Sequence, residues 1–303
     1  MHTSNFFRTF APKLTVMDRI PKAQVRLVRS LQQKKVRDEL GLFVAEGDKC
    51  VEELRKGFEC VALYREGENA TRVEIEQMSG LKTPQGVIGV FKKPIYNSYP
   101  QRGTIDSQCT MHNSQMTNGE LVLALDGIQD PGNLGTIIRT CDWFGVHDIF
   151  CSLDTADCYN PKVVQATMGA LTRVRLHYLN LPEWLNTIQN SKFKIQNSQI
   201  NIYGTLLDGN DIYEVLQSSI VNQSSIHTFR SFSEGDKNRQ SSIVQSSIIV
   251  MGNEGNGISQ AVRSLITHPI RIPSYPKNAE TSESLNVSIA TAIVLAEFRR
   301  LKI

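Results

Sequence analysis

Asn133 and Arg139 are two residues able to do chemistry, and they follow an apolar run typical of a buried strand, in the segment DGIQDPGNLGTIIR. A glycine-rich loop that leads into a helix presents backbone N–H groups to an anion or a polar ligand. The two residues lie about one and a half helical turns apart, so we expect their side chains to face one cleft. An ordinary strand-to-helix turn with a surface arginine fits the same pattern, because such loops serve many folds.

A second glycine-rich loop follows the apolar run 248–251, in the segment IIVMGNEGNGIS. Its glycine order is G-x-x-G-x-G, which matches neither the Rossmann pattern nor the P-loop, and it contains no lysine. Glu254 would repel a phosphate, so the loop favours a ligand with a cationic centre, such as the sulfonium of S-adenosylmethionine. The alternative is a tight turn whose glycines supply only positive φ angles.

The third cluster opens the C-terminal helix with the residues SLNVS at 284–288. Ser284 is the predicted N-cap. An apolar face is predicted to pack this helix on the rest of the protein; its members are Leu285, Ile289, Ala292, Ile293 and Ala296. Packing leaves two polar residues of the first turn, Asn286 and Ser288, unexplained.

Strand–helix alternation over 120–303 predicts a parallel sheet with covering helices. The sequence pattern of residues 19–96 predicts a separate small α/β module. Its predicted strands are 42–45, 61–64 and 87–91, and one basic amphipathic helix is predicted over 20–40. The polar stretch 97–119 is typical of a linker. A near-repeat, QSSIVNQSSI and QSSIVQSSII, marks a low-complexity insertion at about 217–246. Residues 1–18 are expected to form a flexible extension, with Met17 as an alternative start.

The net charge of +3, from 33 basic and 30 acidic residues, means that binding to nucleic acid requires a local concentration of cations. The segment 20–40 has one. Six cysteines without a CxxC pair predict reduced thiols in a cytoplasmic protein and no metal site. The sequence has no run of 18 apolar residues, which predicts no membrane span.

Taken together, the three clusters resemble the SpoU (TrmH-like) family of RNA ribose 2′-O-methyltransferases, of the SPOUT class. The matching patterns are N-x-G-x-x-x-R at 133–139, G-N-E-G-x-G at 252–257 and S-L-N-V-S at 284–288. The N-terminal module is similar to the L30e-like RNA-binding domain of this family, through FVAEG at 43–47 and TPQGV at 83–87. The insertion before Gly252 and a longer stretch at 274–284 depart from the family pattern.

The resemblance implies an α/β fold: a SPOUT-type parallel sheet with a C-terminal trefoil knot, preceded by the L30e-like domain. It implies a homodimer that binds S-adenosylmethionine and needs no metal. The implied catalytic residues are Arg139, Asn133, Glu254 and Asn286. The implied cofactor-binding residues are Thr205, Leu206, Leu207, Gly252, Gly257, Ile272 and Leu285. The basic segment supplies the predicted RNA contacts, Arg26, Arg29, Lys34, Lys35 and Arg37.

The role of Arg139 stays open between a general base and a clamp on a neighbouring phosphate; we favour the clamp because arginine remains protonated. Ribosomal RNA is favoured over transfer RNA as substrate because of the separate N-terminal module. Two other classes remain as alternatives: a non-catalytic RNA-binding protein, and a nucleotide-binding α/β enzyme that uses the loop at Gly252.

Overall fold

The computed structural model describes residues 19–94, 121–190, 200–218, 246–276 and 284–301. The predicted extension 1–18, the linker 97–119 and nearly all of the insertion 217–246 lie outside these ranges. The chain forms two compact units. The first contains the N-terminal residues together with Asp130–Arg139 and Ala156–Arg175, and the second contains most of the remaining C-terminal chain.

The N-terminal part of the first unit is a three-stranded antiparallel sheet with four helices. Its strands are β1 (Leu42–Glu46), β2 (Cys60–Arg65) and β3 (Val87–Lys92), in the order β1-β3-β2. Its helices are α1 (Lys22–Ser30), α2 (Lys34–Leu40), α3 (Asp48–Arg55) and α4 (Arg72–Met78). The three predicted strands are confirmed. A buried apolar core joins α1 and α4 to the sheet.

The prediction of one continuous helix over 20–40 is wrong, because α1 ends at Ser30 and α2 begins at Lys34. The break is stabilised by Arg37, whose Nη1 donates to the carbonyl oxygens of Leu31 and Gln32, at 2.9 Å each. Gln33 has extended backbone there, with φ −90° and ψ 129°. Side-chain hydrogen bonds from Arg37 therefore replace the helical ones that a continuous helix would make at these carbonyls.

Helix α4 was not predicted, although the sequence carries a signal for it. The Thr71 side chain accepts from the Glu74 backbone N–H, and the Glu74 side chain accepts from the Thr71 N–H. This reciprocal capping box satisfies two backbone donors that the helix would otherwise leave unpaired. The pattern Thr-x-x-Glu at 71–74 therefore predicts a helix start.

Residues from the C-terminal half complete the first unit. They form helix α6 (Pro161–Thr167) and a 3-10 turn (Ala170–Thr172), and α6 packs on β1. Asn160 accepts from the Lys162 N–H, as its predicted N-cap role requires. The rings of Phe43 and Tyr159 lie 4.8 Å apart. The module predicted at 19–96 thus shares its packing with a segment far along the chain.

The second unit is built on a six-stranded parallel sheet in the order β6-β5-β4-β8-β7-β9. The strands are β4 (Leu121–Asp126), β5 (Asp148–Ser152), β6 (Arg175–Leu179), β7 (Asn201–Asp211), β8 (Ser247–Gly252) and β9 (His268–Arg271). The helices are α5 (Pro131–Trp143, which begins in the first unit), α7 (Leu181–Asn190), α8 (Gln260–Arg263) and α9 (Val287–Arg300). The predicted parallel sheet is confirmed. In the described part of the chain, no helix is both long and apolar enough to span a membrane.

Helix α9 differs from its prediction in both its cap and its buried face. Asn286, not Ser284, is the N-cap. The side chains that α9 buries are those of Val287, Ser288, Thr291, Val294, Leu295 and Phe298. Of the predicted packing face, Leu285 is 51% exposed and Ile289 is 54% exposed, whereas Ala292, Ile293 and Ala296 are half-buried. The helix is apolar on two faces, so hydrophobic periodicity alone selected the wrong one.

The cysteines that the structure describes are free thiols: four of them, Cys50, Cys141, Cys151 and Cys158, are buried, and Cys60 is half-buried. Burial raises the pKa of the Cys50 thiol to about 11. Burial also raises the pKa of Cys141. Buried protonated thiols of this kind are inert and pack as small apolar groups.

Candidate functional site

Four parallel strands of the second unit, β4, β8, β7 and β9, end at the same edge of the sheet. Asp126 at the end of β4 pairs in register with Gly252 at the end of β8. Ligands of open parallel sheets bind outside the carboxyl ends of the strands. We call this edge the candidate site of the second unit.

The loop after β8 folds back on itself at this edge. The Asn253 N–H donates to the Gly257 carbonyl, and the Gly257 N–H donates to the Asn253 carbonyl, at 2.9 Å each. A Cβ on Gly252 would lie 2.7 Å from the Gly257 oxygen, and Gly257 has a φ of +67°. Both glycines are therefore required by backbone shape, as the tight-turn interpretation predicts.

Asn253 fixes the position of this loop. Its Nδ2 donates to the Gly127 carbonyl at 2.6 Å, and its Oδ1 accepts from the N–H groups of Gly255 and Asn256 at 2.9 and 3.0 Å. One side chain thus joins the loops after β8 and β4. Asn253 is absent from the predicted site residues, although Asn followed by Gly two residues later is typical of a turn closed by a side-chain amide.

Two further polar groups secure the strand ends. The buried carboxylate of Asp126 accepts from the Ser259 N–H at 2.7 Å. The Ser152 Oγ at the end of β5 accepts from the Gly127 N–H at 2.8 Å. Side chains from β4 and β5 therefore hold the backbone at this edge in one arrangement.

The predicted cofactor residues also belong to the second unit: they lie on β7, at the end of β8 and in the loop after it, just after β9, and just before α9. The Thr205 hydroxyl donates to the Val250 carbonyl at 3.3 Å. Thr205 and Asn210 both pair with Ile270, so residues 206–209 bulge from the strand. Leu206 and Ile272 are half-buried, and Leu207 is 70% exposed.

The chemistry of this edge fits a cationic ligand that has an apolar part. Segment 252–259 contains no lysine or arginine, and Glu254 is exposed on it. Arg263 on α8 forms an ion pair with Asp208. Partly exposed leucine and isoleucine side chains offer apolar surface for a ring. A phosphate would find no cation on this loop, whereas a sulfonium next to an adenosine group suits both features.

The side chain of Asn286 caps helix α9, which explains why an asparagine occupies this position. Its Oδ1 accepts from the Ser288 N–H at 2.9 Å, from the Ser288 Oγ at 2.6 Å and from the Ile289 N–H at 3.4 Å. This cap explains both polar residues that packing left unexplained.

Asn133 and Arg139 lie on α5, in the first unit, whereas Glu254 and Asn286 lie in the second. Asp130 begins α5 by accepting from the Asn133 N–H at 2.7 Å. Six residues of α-helix turn through about 600°, which places the two side chains about 120° apart around the axis. Asn133 is half-buried and Arg139 is exposed. The two side chains therefore leave α5 in different directions, and a shared cleft stays a prediction.

The guanidinium of Arg139 makes no hydrogen bond or ion pair within the described ranges. Gly135 of the same motif serves packing: a Cβ there would lie 2.9 Å from the Val163 carbonyl oxygen and would also overlap Ala166. The motif N-x-G-x-x-x-R thus combines a close helix contact with an exposed cation that has no partner in the described ranges.

The predicted RNA contacts divide into exposed and buried residues. Arg26 and Arg29 on α1 are exposed, as are Lys34 and Lys35 on α2. Arg37 is 1% exposed, and its Nη2 lies 2.7 Å from the Asp157 carboxylate. The prediction for Arg37 is wrong, because an enclosed and ion-paired guanidinium cannot reach a phosphate.

Comparison with known proteins decides the family. A model of the SpoU rRNA Methylase family matches residues 120–296, which is more than half of the chain. The chain belongs to the SpoU rRNA methylase family. A model of the MRM3-like substrate binding domain matches residues 22–89.

Relatives of this SpoU family member match it over nearly its full length. It is 26% identical to the 23S rRNA (guanosine(2553)-2′-O)-methyltransferase RlmP of Bacillus subtilis over 273 residues, which cover 89% of this chain and 94% of that protein. A TrmH-family protein from Porphyromonas gingivalis is 31% identical, with a TM-score of 0.66, over 93% of this chain and 99% of that one. An AdoMet-bound rRNA methyltransferase from Sinorhizobium meliloti is 27% identical, with a TM-score of 0.64, over 93% and 96%.

Proposed function

We propose that this SpoU family member transfers a methyl group from S-adenosylmethionine to a ribose 2′-hydroxyl of ribosomal RNA. The match of residues 120–296 to the SpoU rRNA Methylase family carries the proposal. Similarity to RlmP over 89% of the chain supports both the 2′-oxygen and ribosomal RNA as targets. The match of residues 22–89 to a substrate binding domain adds a module for the RNA.

S-adenosylmethionine is the cofactor that the candidate site of the second unit fits. When bound, it would supply a methyl group: an O–CH3 bond to the ribose 2′-oxygen would form as the C–S⁺ bond breaks, leaving a neutral thioether, and the hydroxyl proton would be released to water. Backbone atoms of Gly252, Ile272 and Leu285 are assigned to holding it, with Gly257 shaping the loop. Residues 205–207 are assigned to the adenine side. We also propose that the chain around these strand ends forms the trefoil knot of the family.

Arg139 is assigned to orienting the ribose hydroxyl by clamping the neighbouring phosphate. Its guanidinium is exposed and has no partner among the residues that the structure describes. A permanently charged planar fork suits a phosphate and needs no proton transfer by the arginine. Asn133, Glu254 and Asn286 are assigned to positioning; this assignment rests on the three motifs.

Docking of the RNA is assigned to the exposed cations of the first unit, Arg26, Arg29, Lys34 and Lys35. Lys34 forms an ion pair with Asp38 at 3.0 Å, and Lys35 lies 3.9 Å from Glu39. Arg26 and Arg29 carry no such pair within the described chain. The two arginines can therefore contact a phosphate without first breaking an ion pair, whereas the two lysines cannot. Free thiols and a ribosomal substrate support a cytoplasmic location.

The second unit exposes an apolar surface that supports a homodimer. Leu285, just before α9, and Ile289, near its start, are about half exposed. Trp143 at the end of α5 is 86% exposed and lies near the other end of α9, where Arg299 donates to the carbonyls of Phe144 and Gly145, at 2.6 and 2.8 Å. An exposed apolar surface of this kind marks a protein interface, and a second copy is the occupant we propose.

Methyl transfer in vitro tests the function. The purified protein, labelled S-adenosylmethionine and unmodified ribosomal or transfer RNA are incubated, and the RNA is digested to nucleosides. We expect label in a 2′-O-methyl nucleoside from ribosomal RNA. Arg139→Ala should abolish transfer while calorimetry shows nearly unchanged cofactor affinity. Label in transfer RNA alone would show that transfer RNA, and not ribosomal RNA, is the substrate. RNA binding without methyl transfer would support the non-catalytic alternative.

A further inference from the structure

The N-terminal module, residues 19–94, meets the segment 156–175 through buried aromatic side chains. Tyr159 is 4% exposed, and its ring centroid lies 4.8 Å from that of Phe43 and 6.5 Å from that of Phe58. The rings of Phe43 and Phe58 also contact one another, with centroids 5.2 Å apart. Contacts between domains that move relative to one another are more polar than this, so the packing is that of a single folded unit.

Two glycines allow the module and the segment 156–175 to approach closely. A Cβ on Gly57, just after α3, would lie 2.9 Å from the Cβ of Thr172. A Cβ on Gly169 would overlap the Cβ of Glu53 on α3. Each partner thus contributes one glycine that faces a side chain of the other. A larger side chain at either position would force the two apart.

Helix α6 joins the module to the helix that carries Arg139. The Cys50 thiol on α3 donates to the Val164 carbonyl at 3.7 Å. A Cβ on Gly135 of α5 would lie 2.9 Å from the carbonyl oxygen of the neighbouring Val163. Gly135 and Arg139 are four residues apart on α5 and therefore lie on the same face of the helix. The module, α6 and the first part of α5 belong to one compact unit.

We propose that these contacts, and not the predicted linker 97–119, hold the RNA-binding cations of α1 at a fixed position relative to Arg139. Gly57 and Gly169 are positioning residues, because they act through the placement of the module. A docked RNA then presents one particular ribose to Arg139. A module held only by a linker would present any ribose within the reach of that linker. The inference rests on the proposed function, since it takes Arg139 and the cations of α1 as RNA contacts.

Doubling the stretch 97–119 with a Gly/Ser sequence tests the proposal and alters no described residue. Methyl transfer to unmodified ribosomal RNA should proceed with the kcat/KM of the wild type. For a module held only by its linker, doubling the length lowers the effective concentration about threefold, and kcat/KM falls by the same factor. A threefold fall would overturn the proposal.

Gly57→Val tests the contact itself. Gly57 does not have a positive φ, so valine adds bulk against Thr172 without backbone strain. We expect kcat to fall about tenfold, because the ribose is displaced from Arg139. The dissociation constants of ribosomal RNA, by filter binding, and of S-adenosylmethionine, by calorimetry, should stay unchanged, which a misfolded protein would not show.

Gly67→Asn is the matched control on the same module. A Cβ on Gly67 would meet no atom within 4 Å, and asparagine tolerates its φ of +80°. This variant should keep the kcat of the wild type. A folded Gly57→Val protein with wild-type kcat would contradict the proposal, and the doubled stretch decides alone if Gly57→Val does not fold.

Hydrogen exchange separates this inference from the proposed function, because it needs no substrate. The amides of α6 should exchange as slowly with the doubled stretch as in the wild type, and faster in Gly57→Val. Faster exchange with the doubled stretch would show that the linker maintains the contact, against the proposal. A wild type with slow exchange in α6 but without methyl transfer would contradict the proposed function and leave the placement of the module intact.

Discussion

The guanidinium of Arg37 is enclosed by protein groups: Nε and Nη2 donate to the Asp157 carboxylate at 3.2 and 2.7 Å, and Nη1 donates to two backbone carbonyls. Arg37→Ala would leave a nearly buried carboxylate without its counter-charge. We expect this substitution to lower the free energy of unfolding by about 3–5 kcal/mol, measured by urea denaturation.

Two variants separate the ion pair from general damage. Arg29→Ala removes an exposed cation with no described ion pair and should change the stability by less than about 0.5 kcal/mol. Arg37→Met combined with Asp157→Leu should recover much of the loss, because an apolar pair avoids the desolvation of two charges. Arg37→Ala as stable as the wild type would show that Asp157 is hydrated and that the pair does not join the two segments.

Asn253 gives a second prediction for a single residue. Asn253→Ala removes the bonds to Gly127, Gly255 and Asn256 and releases the loop after β8. We expect the dissociation constant of S-adenosylmethionine to rise about tenfold, or about 1.4 kcal/mol, because the released loop must be ordered again when the cofactor binds. Calorimetric titration measures this change.

Asn256→Ala is the matched control for the loop, because the structure uses only the backbone N–H of Asn256 there. It should bind the cofactor like the wild type. Equal weakening by both substitutions would mean that the loop responds to any change and that Asn253 has no particular role.

Some helices and strands can be predicted from the sequence pattern, and others cannot. The strands at 42–45 and 87–91 are predictable because their apolar runs are short and bounded by turn residues. The start of α9 was predicted less well, because Ser284, Asn286 and Ser288 are all good cap residues. Only the tertiary position of the chain selects Asn286. The break between α1 and α2 has no glycine or proline to mark it and depends on the distant partner of Arg37.

The exposed face of α9 allows the proposed dimer contact to be tested. Ile289→Asp places a charge on the apolar surface that we assign to the dimer contact. We expect light scattering to report the dimer mass for the wild type and the monomer mass for this variant, with circular dichroism unchanged. Val73→Asp, on an exposed apolar residue of the first unit, should remain dimeric. A dimer that persists with Ile289→Asp would exclude this face as the interface.

At the scale of the whole molecule, the two compact units do not follow the order of the sequence. Residues 130–139 and 156–175 pack with the N-terminal module, through contacts such as Phe43 with Tyr159. Periodicity reports local structure and contains no information about such distant pairs. The position of β8 between β4 and β7 is hidden for the same reason. The family was nevertheless predictable, since its three motifs are local.

Mapping of 2′-O-methyl groups in cellular ribosomal RNA tests the central claim most directly. RNA is taken from a strain that lacks the gene and from the same strain carrying either the wild type or Arg139→Ala. We expect one ribose methylation that the wild type restores and Arg139→Ala does not. Identical methylation maps of ribosomal RNA in all three strains would contradict the assignment of this protein as a ribosomal RNA methyltransferase.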